Sequence, residues 1–397
     1  MQSNLAAGQG QLMSRYLWKT DDWPTLRWND GELLVHLSRV RFAQGRLSGA
    51  LETVGFGEDA RLEAEALVEE AMKTSEIEGE RLSLDAVRSS VARRLGLDGG
   101  GLAKPERHVE GLVDVLLDAS TRYDEPLTAE RLKGWHAALF PTGYSGLHKI
   151  TVADWRSKPM QVVSGPVGRE RVHFEAPPAD TVAYEMERFL SWWETTRQDL
   201  EGVVRAGIAH LWFETVHPFE DGNGRIGRAL VDMALSQGER ASRRFYSLSA
   251  QIYEERDDYY RALEEAQRSG GDVTCWLVWF LGCVERAIAR AEEQVQFAMR
   301  KARFWRSVGP HKLNERQAKA VNRLLDVGPG GFEGGLTNKK YRQMTRATER
   351  TAARDIQDLV SRGILLHGEG GGRSTRYELA WDLAGIRPRS QKTPHLA

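Results

Sequence analysis

The stretch HPFEDGNGRIGR, His217 to Arg228, decides how this chain reads. It gathers a histidine, two acids, three glycines around an asparagine, and two arginines. Gly222, Gly224 and Gly227 satisfy the spacing G-x-G-x-x-G, which cradles a dinucleotide when it follows a buried strand. What precedes them is HLWFETVHPFED, with His, Glu, Pro and Asp where a central parallel strand is apolar. The βαβ context is therefore absent. A metal reading is also poor. His210, Glu214 and His217 share roughly one helical face, but there is no H-E-x-x-H, and His210 reads as a satisfied core or helix-surface histidine.

A phosphate site remains. A glycine turn entering the helical run GRIGRALVDMAL aims backbone N–H groups at an anion. Arg225 and Arg228, three apart, sit on neighbouring positions of one helix face and suit a polyphosphate. Asp221, just before the turn, is a hard oxygen ligand for Mg²⁺. His217 is the natural proton acceptor near neutral pH. Together these groups point to attack of a hydroxyl on a phosphate.

The run matches the signature of Fic-domain proteins, H-x-F-x-[D/E]-G-N-G-R-x-x-R, at every fixed position, and the chain resembles that family over roughly residues 15–300. The resemblance implies a mainly helical fold and transfer of AMP from ATP to a Ser, Thr or Tyr hydroxyl of a target protein, with release of pyrophosphate. It implies that His217 deprotonates the hydroxyl, Phe219 anchors the loop in the core and Asp221 holds Mg²⁺. Gly222, Asn223 and Gly224 would bind the α- and β-phosphates, and Arg225 and Arg228 the β- and γ-phosphates. A branch that transfers whole phosphate groups departs from the glycine–asparagine–glycine core kept here.

Two flanking segments fit the resemblance. MQVVSGPVGRERVHFEAPP carries two β-prone runs around a turn, a hairpin signature. It stands in the place of the family's flap, where Met160, Gln161, Val162 and Val163 would pair with an extended target segment by β-augmentation. Downstream, DDYYRALEEAQ resembles the segment lining the adenine pocket. Tyr260, Glu264 and Gln267 would face one side by helical spacing, and one of Tyr259 and Tyr260 is expected in the core. The family commonly has Asn where Gln267 stands.

TSEIEG, Thr74 to Gly79, matches the inhibitory pattern [S/T]-x-x-x-E-[G/N] of Fic proteins that carry their brake in the same chain. On that reading Glu78 forms a bidentate pair with Arg228 and occupies the clamp of the γ-phosphate. Thr74 and Ser75 add helix contacts. The alternative role for such a glutamate is to orient a water that removes AMP from a modified target.

The rest of the chain sets the frame. Formal net charge is −1, so any basic surface is local. MQSNLAAGQGQLMSRYLW lacks a basic cluster followed by an apolar run, and the expected location is the cytoplasm. The longest apolar run, CWLVWFLGCV (Cys275–Val284), is half the ~20 residues of a bilayer span and reads as a buried helix with both cysteines as core thiols. No membrane association is expected. YLWKTDDWPTLRWND reads as an ordered irregular segment, and helices are expected over Glu32–Leu51, Asp59–Ile77, SLDAVRSSVARRL, Val109–Ser120 and Thr128–Leu139, with a linker at Gly96–Pro105. Helical patterning resumes at Ala183 and runs, with breaks, to about Phe304.

From His311 to Leu379 there are 13 Lys/Arg and 8 Asp/Glu in the order helix, helix, helix, hairpin, that of a winged helix–turn–helix. Thr348, Arg350, Thr351 and Arg354 lie early in its recognition helix, where DNA contacts would fall, and Arg373 and Arg376 would reach a phosphate from the wing. A packing or protein-contact role is the competing reading. The expected division is 1–100 (N-terminal helical segment with the inhibitory helix), 101–305 (Fic core) and 306–397 (winged helix and tail). The leading reading is an autoinhibited protein adenylyltransferase using ATP and Mg²⁺. The others are removal of AMP, and a DNA-binding regulator with a nucleotide-sensing Fic core. Fic proteins often form dimers, which leaves a homodimer open.

Overall fold

The structure is a computed structural model that describes residues 16–53, 58–97, 105–164, 171–309, 313–328, 335–368 and 375–384. The expected tail before residue 16, most of the linker (98–104), the flap tip (165–170) and Arg373 lie outside the described residues. The fold is mainly α, and its described strands form three small antiparallel hairpins. The chain divides into two compact units, Met1–Glu292 and Glu293–Ala397.

In the first unit, α1 (Asp30–Glu52), α2 (Glu58–Ile77) and α3 (Leu84–Arg94) lead to α4 (Arg107–Thr121) and α5 (Ala129–Leu139). Asn29, Ser83 and Thr128 cap α1, α3 and α5 by accepting first-turn N–H groups, which explains where those helices start. The aromatic segment before α1 is packed as expected, with Leu17 and Trp23 buried. Two hairpins follow: β1 (Tyr144–Ser145) with β2 (His148–Lys149), and β3 (Gln161–Ser164) with β4 (Arg171–Glu175). The second pairs Gln161 with Glu175 and shifts register after Val162. Then come α6 (Val182–Thr195), α7 (Gly202–Val216), α8 (Asn223–Glu239), α9 (Leu248–Glu254), α10 (Arg256–Ala266) and α11 (Thr274–Val308), whose residues after Glu292 belong to the second unit.

α7 is the core helix. Every residue from Val203 to Val216 is buried, Arg205, His210 and Glu214 among them, and the helix is otherwise almost wholly apolar. It packs on α8, and at one crossing a Cβ on Gly202 would fall 2.7 Å from the Gly238 Cα, so only glycine allows the backbones to meet. α2 packs against α9, α4 and α8. Polar pins fix its height. The buried Glu70 carboxylate accepts from Ser247 Oγ (2.7 Å), Ser249 N (3.0 Å) and Ser249 Oγ, and Arg243 reaches Asp59 and Glu63 at 2.8 and 2.6 Å. The buried run at Cys275–Val284 lies in α11, but its two thiols differ. Cys283 is buried, whereas Cys275, in the first turn, is exposed and is not the expected core thiol.

In the second unit, α12 (Glu315–Val327), α13 (Asn338–Thr345) and α14 (Glu349–Ser361) precede β5 (Leu365–His367) and β6 (Tyr377–Leu379). Val321, Leu324, Tyr341, Ile356, Leu359 and Leu365 form its apolar centre. The buried Asp355 carboxylate ties its helices together, accepting from Arg316 Nε (2.9 Å) and the Tyr341 hydroxyl (3.1 Å).

Candidate active site

The candidate site forms where α7 ends and α8 begins. α7 closes on His217 in the left-handed conformation (φ 49°), unusual for a non-glycine residue. That turn redirects the chain so that Pro218–Asp221 cross the entrance to α8. Phe219 is buried and stacks on His136 at 4.2 Å between centroids, the anchoring expected of it. Gly222 (φ 79°) starts α8, and a Cβ there would press on the Phe140 ring.

Asn223 sits differently from a phosphate ligand. Its Oδ1 accepts from Phe219 N and its Nδ2 donates to Phe219 O, both at 2.9 Å. The side chain therefore staples the loop to the Phe219 backbone. Asp221 accepts from Ser145 Oγ in the small β1–β2 hairpin, which sequence patterning did not reveal, and from the Gly222 N–H. The neighbouring Glu220 accepts from Thr151 N and Oγ1, each at 3.1 Å.

Both arginines of the signature are held by the last turn of α2 and the residues just after it. Arg228 is 2% exposed and donates through Nη2 to Glu78 Oε1 at 2.7 Å. The pair is not the bidentate fork that the sequence led us to expect. Arg228 Nε goes to Thr74 Oγ1 (2.7 Å), and Nη2 is shared with the Thr74 carbonyl (2.9 Å). Thr74 thus holds the guanidinium edge that a bidentate glutamate would take. Ser75, by contrast, has a buried hydroxyl without a hydrogen-bond partner among the described residues. The Glu78 carboxylate lies against Gly224, where a Cβ would overlap Oε1. Arg225 donates to Glu80 Oε2 at 2.9 Å and lies over the Phe140 ring. Sequence reasoning passed over Glu80, although its spacing two residues after Glu78 was the available signal.

The electrostatics favour a neutral His217. Burial, then the Arg156 charge, pushes its imidazole down to about 4. Its buried Nδ1 lies 3.7 Å from Glu214 Oε2. Burial, then the nearby Glu78, raises Glu214 to about 8, which favours its protonated form. His210 is a buried core histidine, with Nε2 2.8 Å from the Tyr259 hydroxyl and its pKa lowered to about 3 by burial and Arg228. A Cβ on Gly227 would strike Glu214, so this third glycine serves the packing of α7 on α8.

The remaining expected residues are placed unequally. Tyr259 is buried and Tyr260 is 42% exposed, its hydroxyl 3.5 Å from the Ile77 carbonyl. Glu264 meets His173 of β4 at 3.2 Å and Arg268 at 3.4 Å. Gln267 does not share their accessible face. It is 4% exposed and donates to the Glu214 carbonyl at 3.3 Å, because it caps the end of α10 facing the core. On the flap, Gln161 and Val162 are exposed and Met160 is half-buried, its carbonyl accepting from Ala176 N. Val163 is described through its backbone pairing with Val172.

Comparison with known proteins agrees with this geometry. Residues 126–235 match the Fic/DOC family, and residues 16–97 match a domain of unknown function (DUF4172). A "Protein adenylyltransferase Fic" of Culex quinquefasciatus is 27% identical over 275 residues, 66% of this chain and 49% of that protein. A protein of the same name from Nematostella vectensis is 24% identical over 229 residues, covering 56% of this chain and 48% of the other. The chain spans about half the length of these curated relatives. Among solved structures, a Fic family protein from Desulfovibrio desulfuricans aligns with a TM-score of 0.51 and 21% identity over 88% of this chain and 96% of that one. A Fic domain containing signaling protein from Bacteroides thetaiotaomicron aligns at 0.51 and 18%, over 65% of this chain and 97% of the other. At these identities the likeness is one of fold. With the complete signature folded into one helix–loop–helix site and the family matched across it, residues 126–235 of this chain are a domain of the Fic/DOC family.

Proposed function

We propose that the protein is an autoinhibited protein adenylyltransferase that moves AMP from ATP to a hydroxyl of a target protein. The observation that carries this reading is the convergence of His217, the α8 N-terminus and the arginines 225 and 228 on one entrance. The helix N-terminus offers N–H groups and positive potential to the α- and β-phosphates. Arg225 and Arg228, once released by Glu80 and Glu78, take the β- and γ-phosphates. The buried Nδ1 of His217 leaves Nε2 to take the acceptor proton. The hydroxyl oxygen then bonds to the α-phosphorus, the bond from that phosphorus to the β-phosphate's bridging oxygen breaks, and pyrophosphate leaves. Tyr260 and Glu264 border the base, and β3 offers its edge to an extended target segment.

Mg²⁺ fits Asp221. One protein carboxylate at the mouth of the cradle suits an ion that takes its other ligands from phosphates and water. Among the described residues no cluster of three or more His, Cys, Asp or Glu could hold a metal without a nucleotide. When bound there, the ion would neutralise phosphate charge.

The test is incorporation from ATP labelled at the α- or the γ-phosphate into the Glu78→Gly protein and into lysate proteins. Label from the α position alone supports AMP transfer. Label from the γ position alone, or none, refutes it.

A second reading concerns the second unit. Arg346, Arg350 and Arg354 are exposed on and before α14, and among the described residues none has a carboxylate partner, while Thr351 is half-buried beneath them. That face suits duplex DNA. Anisotropy of a labelled duplex with the full chain, at several salt concentrations, tests it. Binding that is absent or unchanged by salt leaves a packing role.

A further inference from the structure

Arg156 is a buried cation with an uncommon set of partners. It is 2% exposed, and among the described residues no carboxylate pairs with it. Its guanidinium is instead spent on four backbone carbonyls. Nε donates to His217 O at 2.8 Å, and Nη2 donates to Val216 O at 3.2 Å and Pro177 O at 2.6 Å. Nη1 donates to Lys158 O at 3.0 Å, and the Arg156 backbone N–H donates to Pro218 O at 2.8 Å.

These acceptors belong to three places. Lys158 lies just before β3 and Pro177 just after β4, so they are the two legs of the flap hairpin. Val216 and His217 are the end of α7, whose last carbonyls have no partner within the helix. A cation there is also favoured by the helix dipole. A planar fork with five donors is the side chain that can hold all three at once, and lysine lacks that geometry.

We infer that Arg156 is a positioning residue: it locks both legs of the β3–β4 hairpin to the left-handed His217 corner, so that a hydroxyl carried on the flap meets the imidazole in register. The inference rests on the proposed transfer reaction for its purpose, though the joint itself is a property of the fold. Main-chain pairing along β3 sets where an acceptor segment lies, but it does not by itself set the distance from the flap to the base. No other described side chain bonds to both the hairpin legs and the His217 backbone. Beside burial, the positive charge next to His217 helps keep the imidazole unprotonated, against Glu214, Glu78 and Asp221, which act in the opposite sense.

The experiment compares R156Q and R156K, each in the E78G protein, with E78G alone. Self-labelling from α-labelled ATP reports transfer, calorimetry with Mg·ATP reports nucleotide binding, and hydrogen exchange reports the joint. A misplacement of about 1 Å costs on the order of 10²-fold in rate, so R156Q is expected to lose about 10²-fold in transfer. Its ATP affinity should stay within twofold of E78G, and R156K should fall between. Exchange is expected to quicken together in the two hairpin legs and in residues 216–218. Transfer within threefold of E78G in R156Q overturns the inference. So does a parallel loss of ATP affinity, or exchange that quickens in one of the three segments alone. If R156Q does not fold, the same readouts on R156K decide. An inactive E78G protein would instead refute the proposed function, and the exchange pattern would still judge the joint.

Discussion

Replacing Glu78 with glycine is the most direct perturbation of the site. Glu78 contributes one charge-assisted hydrogen bond, 2.7 Å to an arginine that is itself 2% exposed, while its own side chain is 33% exposed. Two unit charges ~4 Å apart at an effective dielectric of ~20 attract by about 4 kcal/mol, an upper figure before desolvation. Hydrogen bonds to charged groups contribute about 1.5–3 kcal/mol net. With tenfold per ~1.4 kcal/mol, removing the proposed lock is expected to raise the fraction of productive sites by about 10–150-fold. Arg228 does not become disordered, because Thr74 still holds Nε and Nη2. The buried guanidinium does lose its counter-charge, so E78G should melt lower than the parent without nucleotide and gain more from Mg·ATP. The assays are the rate of incorporation from α-labelled ATP and thermal unfolding with and without Mg·ATP. A rate gain below threefold at saturating ATP would refute the reasoning, since the lock would then not limit transfer. E78Q, which keeps the contact but not the charge, should fall between.

Glu80 is 37% exposed, and an ion pair of that kind contributes about 0–1 kcal/mol. Adding Glu80→Gln to E78G is therefore expected to raise labelling by up to about fivefold, and a fall would mean that Arg225 needs Glu80 for its pose. His136 accepts from Ala153 N at Nδ1 (3.1 Å) and faces the Asp221 carbonyl with Nε2 (3.2 Å), which only the neutral Nε2–H ring satisfies. Burial lowers its pKa to about 4. The folded state thus binds fewer protons, and stability is full above about pH 6.5 and is lost as pH falls toward about 4, by on the order of 2–3 kcal/mol. Urea midpoints from pH 7 to 4.5 should drop less in His136→Asn than in the parent, and equal drops would count against this. Glu214 runs the other way. Its pKa is raised to about 8, so its contribution is full below about 4.5 and is lost as pH rises through about 8. Glu214→Gln should therefore gain stability relative to the parent as pH rises from about 5 to about 8, measured by the same midpoints. Asn223→Ala breaks both bonds to the Phe219 backbone, at a cost of about 2–3 kcal/mol. It should weaken Mg·ATP binding by calorimetry, and unchanged melting and binding would show that the staple is dispensable.

Much of the fold was legible because its signals are local. The 3.6-residue apolar spacing placed the helix starts to within a few residues, and in the structure Asn29, Ser83, Thr128, Asn314 and Thr348 cap those starts. The β1–β2 hairpin was not legible, since two-residue strands have no period to read. Cys275 was misread because an apolar run gives the composition of a helix but not which of its first-turn residues meets solvent.

The sequence alone determined which groups stand at HPFEDGNGRIGR: a histidine, two acids, a glycine turn and two arginines at helical spacing. Only the tertiary structure decided how those groups are occupied. Whether Glu78 takes Arg228 with one oxygen or two depends on Thr74 reaching the same guanidinium, and whether Arg225 is free depends on Glu80, about 145 residues away along the chain. Asn223 turned inward because the Phe219 backbone lay within its reach, and Gln267 because the end of α7 did. Hydrogen-bond partners distant in sequence carry no periodicity, so they become visible only once packing brings their donors and acceptors within 3 Å or so of each other.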